Sequence, residues 1–196
     1  MTTLTLLEDA CGRVCHDLST PLAGMMAALD YLGADAAGEA AAVLREGAAA
    51  LQARLRLWRT VAGGGGEPMD GPMLAALLDG AWSGGRVLAE ASGLAAVVPV
   101  AMARAVLLGA MIAAEALPRG GEVRIAGDAR QAAILPDGRG AAWPASLTAS
   151  LSGQDVGGSR HVLPTLLVAL TGATGIRPAL ALGAGSAPGP LILSAT

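Results

Sequence analysis

Three side chains that could do chemistry lie within five residues of one another near the start of the chain. The stretch CHDLSTPL, residues 15–22, contains His16, Asp17 and Thr20. A neutral imidazole is a competent nucleophile, and an adjoining carboxylate can hold its tautomer or take its proton. A threonine hydroxyl one helical turn further on can bond to a phosphoryl group or to a water beside the imidazole. These residue types are compatible with three roles for His16: a reactive group, a metal ligand or a structural residue.

Two cysteines close to His16 raise the metal alternative. Cys11 and Cys15 lie four residues apart, and Cys15 directly precedes His16. A structural zinc site needs about four ligands, and no nearby residue supplies the remainder. Free cysteines in a reducing compartment commonly serve as small buried apolar residues. We therefore expect both cysteines to be buried and no metal to be bound.

The stretch lies in a segment with the periodicity of an amphipathic helix. Apolar residues recur at steps of three and four: Leu4, Leu7, Cys11, Val14, Leu18, Leu22, Met25, Leu29 and Leu32. At about 100° per residue, Leu18 lies at the centre of this stripe and His16 lies about 160° away from it. Thr20 and Arg13 point to the same far side. We therefore expect His16 to be exposed, which argues against a core role but leaves open an exposed histidine without function.

Pro21 should distort this helix close to His16. A proline inside a helix has no N–H for the carbonyl four residues earlier, here that of Asp17, and its ring crowds that carbonyl. We expect a kink that loosens the turn from His16 to Thr20.

A second amphipathic helix follows a break at residues 33–38. Its apolar positions are Leu44, Ala48, Leu51, Leu55, Trp58 and Ala62. Two long helices joined by a short loop form an antiparallel hairpin, and such a hairpin buries its apolar stripes against further helices. We predict a homodimeric four-helix bundle. Packing of the hairpin on the rest of its own chain is the alternative.

The stretch GGGGEPMDGP, residues 63–72, divides the chain, because glycines end a helix and prolines cannot continue it. We assign residues 1–66 to the helical hairpin and residues 67–196 to a second unit. The second unit has predicted helices at about 72–82, 100–117 and 159–170, predicted strands at about 86–91, 122–125, 131–135, 179–182 and 191–194, and loop-rich sequence up to residue 158. The fold class is therefore α+β, with helices on one face of a mixed or mostly antiparallel sheet.

Charge and hydropathy exclude several classes of function. The formal net charge of −3 provides no basic surface of the kind that nucleic-acid binding needs. The most apolar windows are interrupted by charged residues or proline before they reach the ~20 residues of a membrane-spanning helix. Residues 1–13 lack the pattern of a signal peptide. We expect a cytoplasmic protein, with neither nucleic acid nor membrane as a partner, whose 53% hydrophobic residues suffice to build a core.

HDLSTPL, residues 16–22, resembles the H-box of two-component histidine kinases, whose usual form is H-E/D-L-x-T/S-P-L. In such kinases, dimeric helical hairpins form a bundle and the histidine is phosphorylated. Residues 106–127, VLLGAMIAAEALPRGGEVRIAG, resemble the helix, turn and strand that begin the kinase ATP-binding domain. The chain departs from kinases at residues 108–112, which are apolar or glycine where a magnesium-binding Asn would lie. It also lacks a D-x-G-x-G motif and a glycine-rich ATP lid.

A kinase-like dimer with a degenerate ATP domain is similar to the ChpT-type histidine phosphotransferases of alphaproteobacterial phosphorelays. Their phosphoacceptor motif also contains C-H-D-L, and an A-E-A-L-P-R-G-G turn, present here at residues 114–121, is characteristic of them. The resemblance implies a second domain with the α/β sandwich of a kinase (Bergerat-type) ATP domain but without a nucleotide site. It covers essentially the whole chain and is weakest at residues 128–158.

The resemblance further implies that His16 accepts a phosphoryl group from a receiver-domain aspartate and passes it to a response regulator. Asp17 would orient or deprotonate the imidazole, and Thr20 could permit removal of phosphate. Mg²⁺ is expected on the receiver, and this chain would bind no ATP or other cofactor. The family suggests a CckA-like hybrid kinase upstream and a CtrA-like regulator downstream. Candidate residues for docking a receiver are Arg13, Leu22, Met25, Met26, Arg56 and Arg59.

Two other classes of function stay open. The chain could be an ATP-dependent histidine kinase fragment with a divergent nucleotide site, or a non-catalytic dimeric adaptor whose histidine is incidental. The second histidine, His161, has no acid or threonine spaced around it as His16 has. We expect His161 to have a capping or surface role.

Overall fold

The computed structural model describes residues 3–31, 37–63, 66–183 and 187–196. Its first two helices are α1, Thr3–Tyr31, and α2, Ala37–Ala62. Most of the hairpin loop predicted at residues 33–38 and the middle of the glycine run at 63–66 lie outside the described ranges.

The two helices form the predicted antiparallel hairpin. Asp17 of α1 contacts Trp58 of α2, whereas Met25, further along α1, lies against Gly47, which comes earlier in α2. Pro21 lies inside α1, which continues beyond it to Tyr31.

The second unit begins at a well-defined helix start. Helix α3 spans Gly71–Trp82, as predicted to within one residue. The carboxylate of Asp70 accepts a hydrogen bond of 2.9 Å from the N–H of Met73, and Pro72 occupies the first turn, where a missing N–H leaves no bond unmade.

Among the described residues, the second unit contains a five-stranded sheet and four α-helices. After α3 come β1 (Val87–Leu94), α4 (Val100–Glu115), β2 (Gly121–Gly127), β3 (Gln131–Asp137), α5 (Ala145–Leu151), a 3₁₀ turn (Ser159–His161), α6 (Val162–Thr174), β4 (Ile176–Leu180) and β5 (Leu191–Ala195). The strand order is β1-β2-β3-β5-β4, in which β1 and β2 are parallel and the other neighbours are antiparallel. The predicted mixed α+β class is confirmed.

Helices cover one face of this sheet. On β2, Val123 and Ile125 are fully buried, whereas Arg124 between them is exposed. This period of two places apolar side chains beneath α4 and polar ones on the open face, where Arg124 pairs with Glu122 and Asp137.

Helix α4 lies at the centre of the core, and from residue 105 to residue 113 it is apolar on all sides. It packs against the sheet, α2, α3 and α6, and residues 105–113 are all buried. A Cβ added at Gly109 would collide with Ile134 of β3, so this glycine allows α4 to lie close to the sheet. Residues 108–112, which lack a polar side chain, are therefore part of the core.

Several elements of the second unit differ from the prediction, and three of them show why. The segment expected to be loop contains α5, whose seven residues are too few for a helical periodicity to stand out. Strand β4 starts at Ile176 rather than residue 179, because it is an edge strand and tolerates Pro178. Helix α6 begins at Val162, after a 3₁₀ turn at Ser159–His161, and ends four residues later than predicted, before the C-cap Gly175, whose φ of 71° is left-handed.

One side of the hairpin packs on the second unit, which is the alternative that the sequence left open. Helix α1 contacts the 3₁₀ turn and α6, and α2 contacts α3 and α4. The carboxylate of Asp9 accepts a hydrogen bond of 2.8 Å from the N–H of Gly158, and Arg104 Nε donates one of 2.9 Å to the carbonyl of Val61.

The hairpin also carries exposed apolar side chains. The most exposed are Leu7, Leu22, Met26 and Leu29 of α1 and Val43 and Leu55 of α2. Cys11 and Cys15 are exposed as well, so the expectation that they are buried is wrong for the single chain. Much of the stripe predicted as the packing face of α1 thus lies on the surface. Within the described part of the chain, every helix is too short or too polar to span a bilayer.

Candidate functional site

His16 projects from α1 into solvent. Its side chain is 79% exposed, as the periodicity predicted, and a macromolecular partner can therefore reach the imidazole. Its Nδ1 lies 3.3 Å from Oδ1 of Asp17. Because an ionised carboxylate can only accept, a hydrogen bond here requires the tautomer with its proton on Nδ1. That tautomer leaves the lone pair of Nε2 available for reaction.

Asp17 is fixed by donors from both helices of the hairpin. Its Oδ1 accepts a hydrogen bond of 3.1 Å from Arg13 Nε, and its Oδ2 accepts one of 3.2 Å from Trp58 Nε1. The side chain is only 20% exposed, because it points towards α2 and the second unit. Donors on both oxygens fix the rotamer, so the oxygen beside His16 is held in place.

The backbone of Asp17 is held as well, for a reason that begins with Pro21. In a regular helix the carbonyl of Asp17 would accept the N–H of residue 21, which proline lacks. Arg54 of α2 replaces that donor: its Nη1 lies 2.8 Å from the carbonyl oxygen of Asp17. Its Nε also donates to the carbonyl of Ala81 near the end of α3, at 3.3 Å. The proline thus leaves free the carbonyl through which α2 binds the turn of α1 that carries His16.

Arg13 was predicted to share the exposed face of His16, and that placement is wrong. Its side chain is 19% exposed, and its Nη1 lies 2.6 Å from Oε1 of Glu115, the last residue of α4. Burial, the largest influence, lowers the pKa of the guanidinium, but the carboxylates of Glu115 and Asp17 together outweigh it and raise that pKa above its usual value.

Thr20 is exposed and lies one turn after His16 on the same side of α1. The neighbouring Ser19 donates its hydroxyl to the carbonyl of Cys15 at 2.6 Å. Of the two hydroxyls near His16, that of Thr20 therefore has the placement the sequence predicted for a phosphate- or water-binding group.

The remaining docking candidates are not equivalent. Leu22 and Met26 are 49% and 55% exposed on α1, and Arg56 and Arg59 are exposed on α2. Met25 is half-buried and turned towards α2. His161, outside this group, is exposed at the start of α6 and makes no side-chain capping bond, so its position is a surface one.

Cavities lie between the hairpin and the second unit. One of about 420 Å³ has walls of mixed polarity and is lined among others by Asp17, Arg54, Arg86 and Glu115. An apolar groove of about 780 Å³ lies between α1, α2, α4 and α6 and includes Cys11 and Cys15 in its walls.

Sequence reasoning missed three residues that hold this site. The sequence pattern places Trp58 in an apolar stripe and gives Arg54 and Glu115 no role at the site. A signal for Arg54 existed, because Pro21 leaves the Asp17 carbonyl without its helical donor. No such signal points to the other two, since their contacts join helices far apart in the sequence.

Comparisons with known proteins agree with this architecture. Residues 72–184 match the family model of the histidine phosphotransferase C-terminal domain. The chain is also similar to the 1.7 Å structure of a bacterial phosphotransferase, with a TM-score of 0.78 and 22% identity over 100% of this chain and 98% of that one. At that identity the likeness shows the fold. Among curated proteins, none matches the chain.

The matched region is more than half of the chain and includes its whole central helix and most of its sheet. Fold and family match together define a histidine phosphotransferase. The chain belongs to the ChpT-type family of these proteins.

Proposed function

We propose that this protein carries phosphoryl groups in a two-component phosphorelay, with His16 as the phosphoacceptor. His16 takes the phosphoryl group from the aspartyl phosphate of one receiver domain and gives it to the aspartate of a response regulator. The observation that carries the proposal is an exposed imidazole whose Nδ1 lies 3.3 Å from an anchored carboxylate. Membership of a histidine phosphotransferase family supports it.

The transfer needs only the imidazole and its neighbour from this chain. The lone pair of Nε2 attacks phosphorus in line with the departing carboxylate oxygen, so the N–P bond forms as the O–P bond breaks. The receiver aspartate leaves as a carboxylate, and the Nδ1 proton stays on the ring. The ring then bears positive charge, which the carboxylate of Asp17 offsets. In this proposal Asp17 orients the imidazole and supplies the counter-charge, and delivery to the second receiver is the reverse step.

Thr20 has a secondary role in the proposal. Its exposed hydroxyl, one turn from His16, can orient a water near the phosphoryl group and so permit loss of phosphate. Mg²⁺ and a lysine belong to the receiver domain, and no residue of this chain is assigned to a metal or to ATP. The burial of residues 108–112 in the apolar core supports a second unit without a nucleotide step.

The proposed partners are a second copy of the chain and two receiver domains. Exposed apolar residues such as Leu7 and Leu29 support a homodimer, because a four-helix bundle would bury them. Leu22 and Met26, with the arginines of α2, support docking of an apolar receiver helix beside an acidic pocket. Arg13 is left out of that surface because its guanidinium is bound internally. A CckA-like hybrid kinase and a CtrA-like regulator fit these roles.

The test is transfer from a radiolabelled, phosphorylated receiver domain to purified protein. His16→Gln should abolish labelling, and His161→Gln, the matched control, should label like the wild type. Labelling of the His16→Gln protein would overturn the assignment. Efficient self-labelling of the wild type by labelled ATP alone would replace the carrier with a kinase. Light scattering should give twice the 19.2 kDa of one chain, and the mass of a monomer would contradict the dimer.

A further inference from the structure

The guanidinium of Arg13 connects a carboxylate of the hairpin with a carboxylate of the second unit. Its Nε lies 3.1 Å from Oδ1 of Asp17, and its Nη1 lies 2.6 Å from Oε1 of Glu115. All three side chains are less than one third exposed. Charges in such a position are screened less by salt and water than surface pairs are.

The position of Glu115 is not explained by helix stability. Glu115 is the last residue of α4, and the C-terminal end of a helix carries partial negative charge that disfavours a carboxylate. The last turn of α4 has no basic residue to offset it. The favourable charged contact that the structure gives Glu115 is Arg13 of α1. The ion pair, rather than α4, accounts for the acid at this position.

Glu115 also determines how much of the Arg13 charge falls on Asp17. Oδ1 of Asp17 accepts from Arg13 Nε and has a second lone pair for His16 Nδ1. Because Arg13 also pairs with Glu115, its charge is divided between two carboxylates. If Glu115 were neutral, Arg13 would be balanced by Asp17 alone. The carboxylate would then bind the guanidinium more closely and the imidazole less.

We propose that Glu115 is a positioning residue for phosphoryl transfer at His16. It holds Arg13, Arg13 holds Asp17, and Asp17 fixes the imidazole tautomer that leaves Nε2 unprotonated. Glu115 does not touch the reacting atoms. The inference rests on the proposed function of His16 and adds that the second unit, through one acid, sets the state of a histidine on the hairpin.

Nitrogen-15 NMR of the full-length, histidine-labelled protein tests this without a receiver, because it distinguishes the two neutral tautomers. The wild-type spectrum should show His16 mainly protonated on Nδ1, and Glu115→Gln should move it towards the Nε2-protonated form. His161 in the same spectrum is the internal reference and should not change. The matched control is Glu122→Gln, which removes another arginine-paired acid of the second unit, one that pairs with Arg124 on the open face of the sheet.

Transfer kinetics provide the second measurement. Glu115→Gln should lower the rate constant of transfer about tenfold, a fraction of what a misplaced reacting group costs, with KM for the receiver unchanged. Arg13→Lys, which keeps the charge but cannot bridge two carboxylates in the same way, should show the same change of tautomer. An unchanged His16 tautomer in both variants would overturn the inference, as would a wild-type rate in Glu115→Gln. Absence of transfer in the wild type would instead refute the proposed function, while the tautomer result stands independently.

Discussion

Replacing Arg54 by methionine removes a guanidinium that binds two helix carbonyls but keeps an unbranched apolar stem. The bond to the carbonyl of Asp17 is 2.8 Å long, and the bond to the carbonyl of Ala81 is 3.3 Å long. A hydrogen bond from a charged donor contributes about 1.5–3 kcal/mol, and we assign the longer one about 0.5 kcal/mol. We therefore expect Arg54→Met to lower the free energy of unfolding by about 2–3 kcal/mol.

Pro21 makes this reasoning testable, because it is the reason that the Asp17 carbonyl needs Arg54. In Pro21→Ala the new N–H can bond to that carbonyl, with a net contribution of about 1 kcal/mol. Arg54→Met should therefore cost about 1 kcal/mol less in the Pro21→Ala background than in the wild type. Urea unfolding of the four proteins, followed by circular dichroism, gives this coupling energy.

Additive effects of the two substitutions, within about 0.3 kcal/mol, would refute the link between the proline and the arginine. Arg56→Met is the matched control, because Arg56 is an exposed neighbour on the same helix. Its free energy of unfolding should stay within about 0.5 kcal/mol of the wild type.

Two further changes test the anchoring of the site and the packing of the core. Trp58→Phe keeps a buried ring but loses the donor to Oδ2 of Asp17. It should lower the free energy of unfolding by about 2 kcal/mol and slow phosphoryl transfer. An unchanged transfer rate would contradict the anchoring role. Gly109→Ala should destabilise the protein by about 1–3 kcal/mol through its collision with Ile134. Gly24→Ala, with nothing within 4 Å of the added Cβ, should stabilise α1 by about 0.5–1 kcal/mol. Urea unfolding measures the stability of all three variants. A Gly109→Ala protein more stable than the Gly24→Ala protein would contradict the close packing of α4 on the sheet.

The direction of each side chain around α1 was predictable, but what lies in that direction was not. His16 is exposed because it lies opposite the apolar stripe, which periodicity alone reveals. Arg13 lies about 60° from His16 and about 40° from Asp17 around the helix axis, so its long side chain can turn to either side. The position of Glu115 on a remote helix decides between them. A pattern within one helix contains no information on that neighbour.

The same limit applies to the fold. Long periodic segments such as α1 and α4 were predicted to within a few residues, because many apolar positions contribute to the signal. The seven residues of α5 contribute too few, and Pro178 hides the start of an edge strand. The stripe centred on Leu18 was taken as the packing face of the hairpin, yet the contact with the second unit also uses the side of Asp17. That side is polar and binds through ion pairs and hydrogen bonds, which hydrophobic periodicity does not detect.

Because of Pro21, the turn of α1 that carries His16 is completed only when other helices pack against it. In α1 alone the carbonyl of Asp17 has no N–H donor at Pro21, so the helix lacks one backbone hydrogen bond at the residue that follows His16. Arg54 completes it when α2 lies alongside, and the same guanidinium reaches Ala81 only when α3 is also in place. A fragment that ends before α3 would retain the full H-box sequence and still lack part of the scaffold that holds it. The motif HDLSTPL is therefore held in this conformation only in a chain in which α1, α2 and α3 pack together.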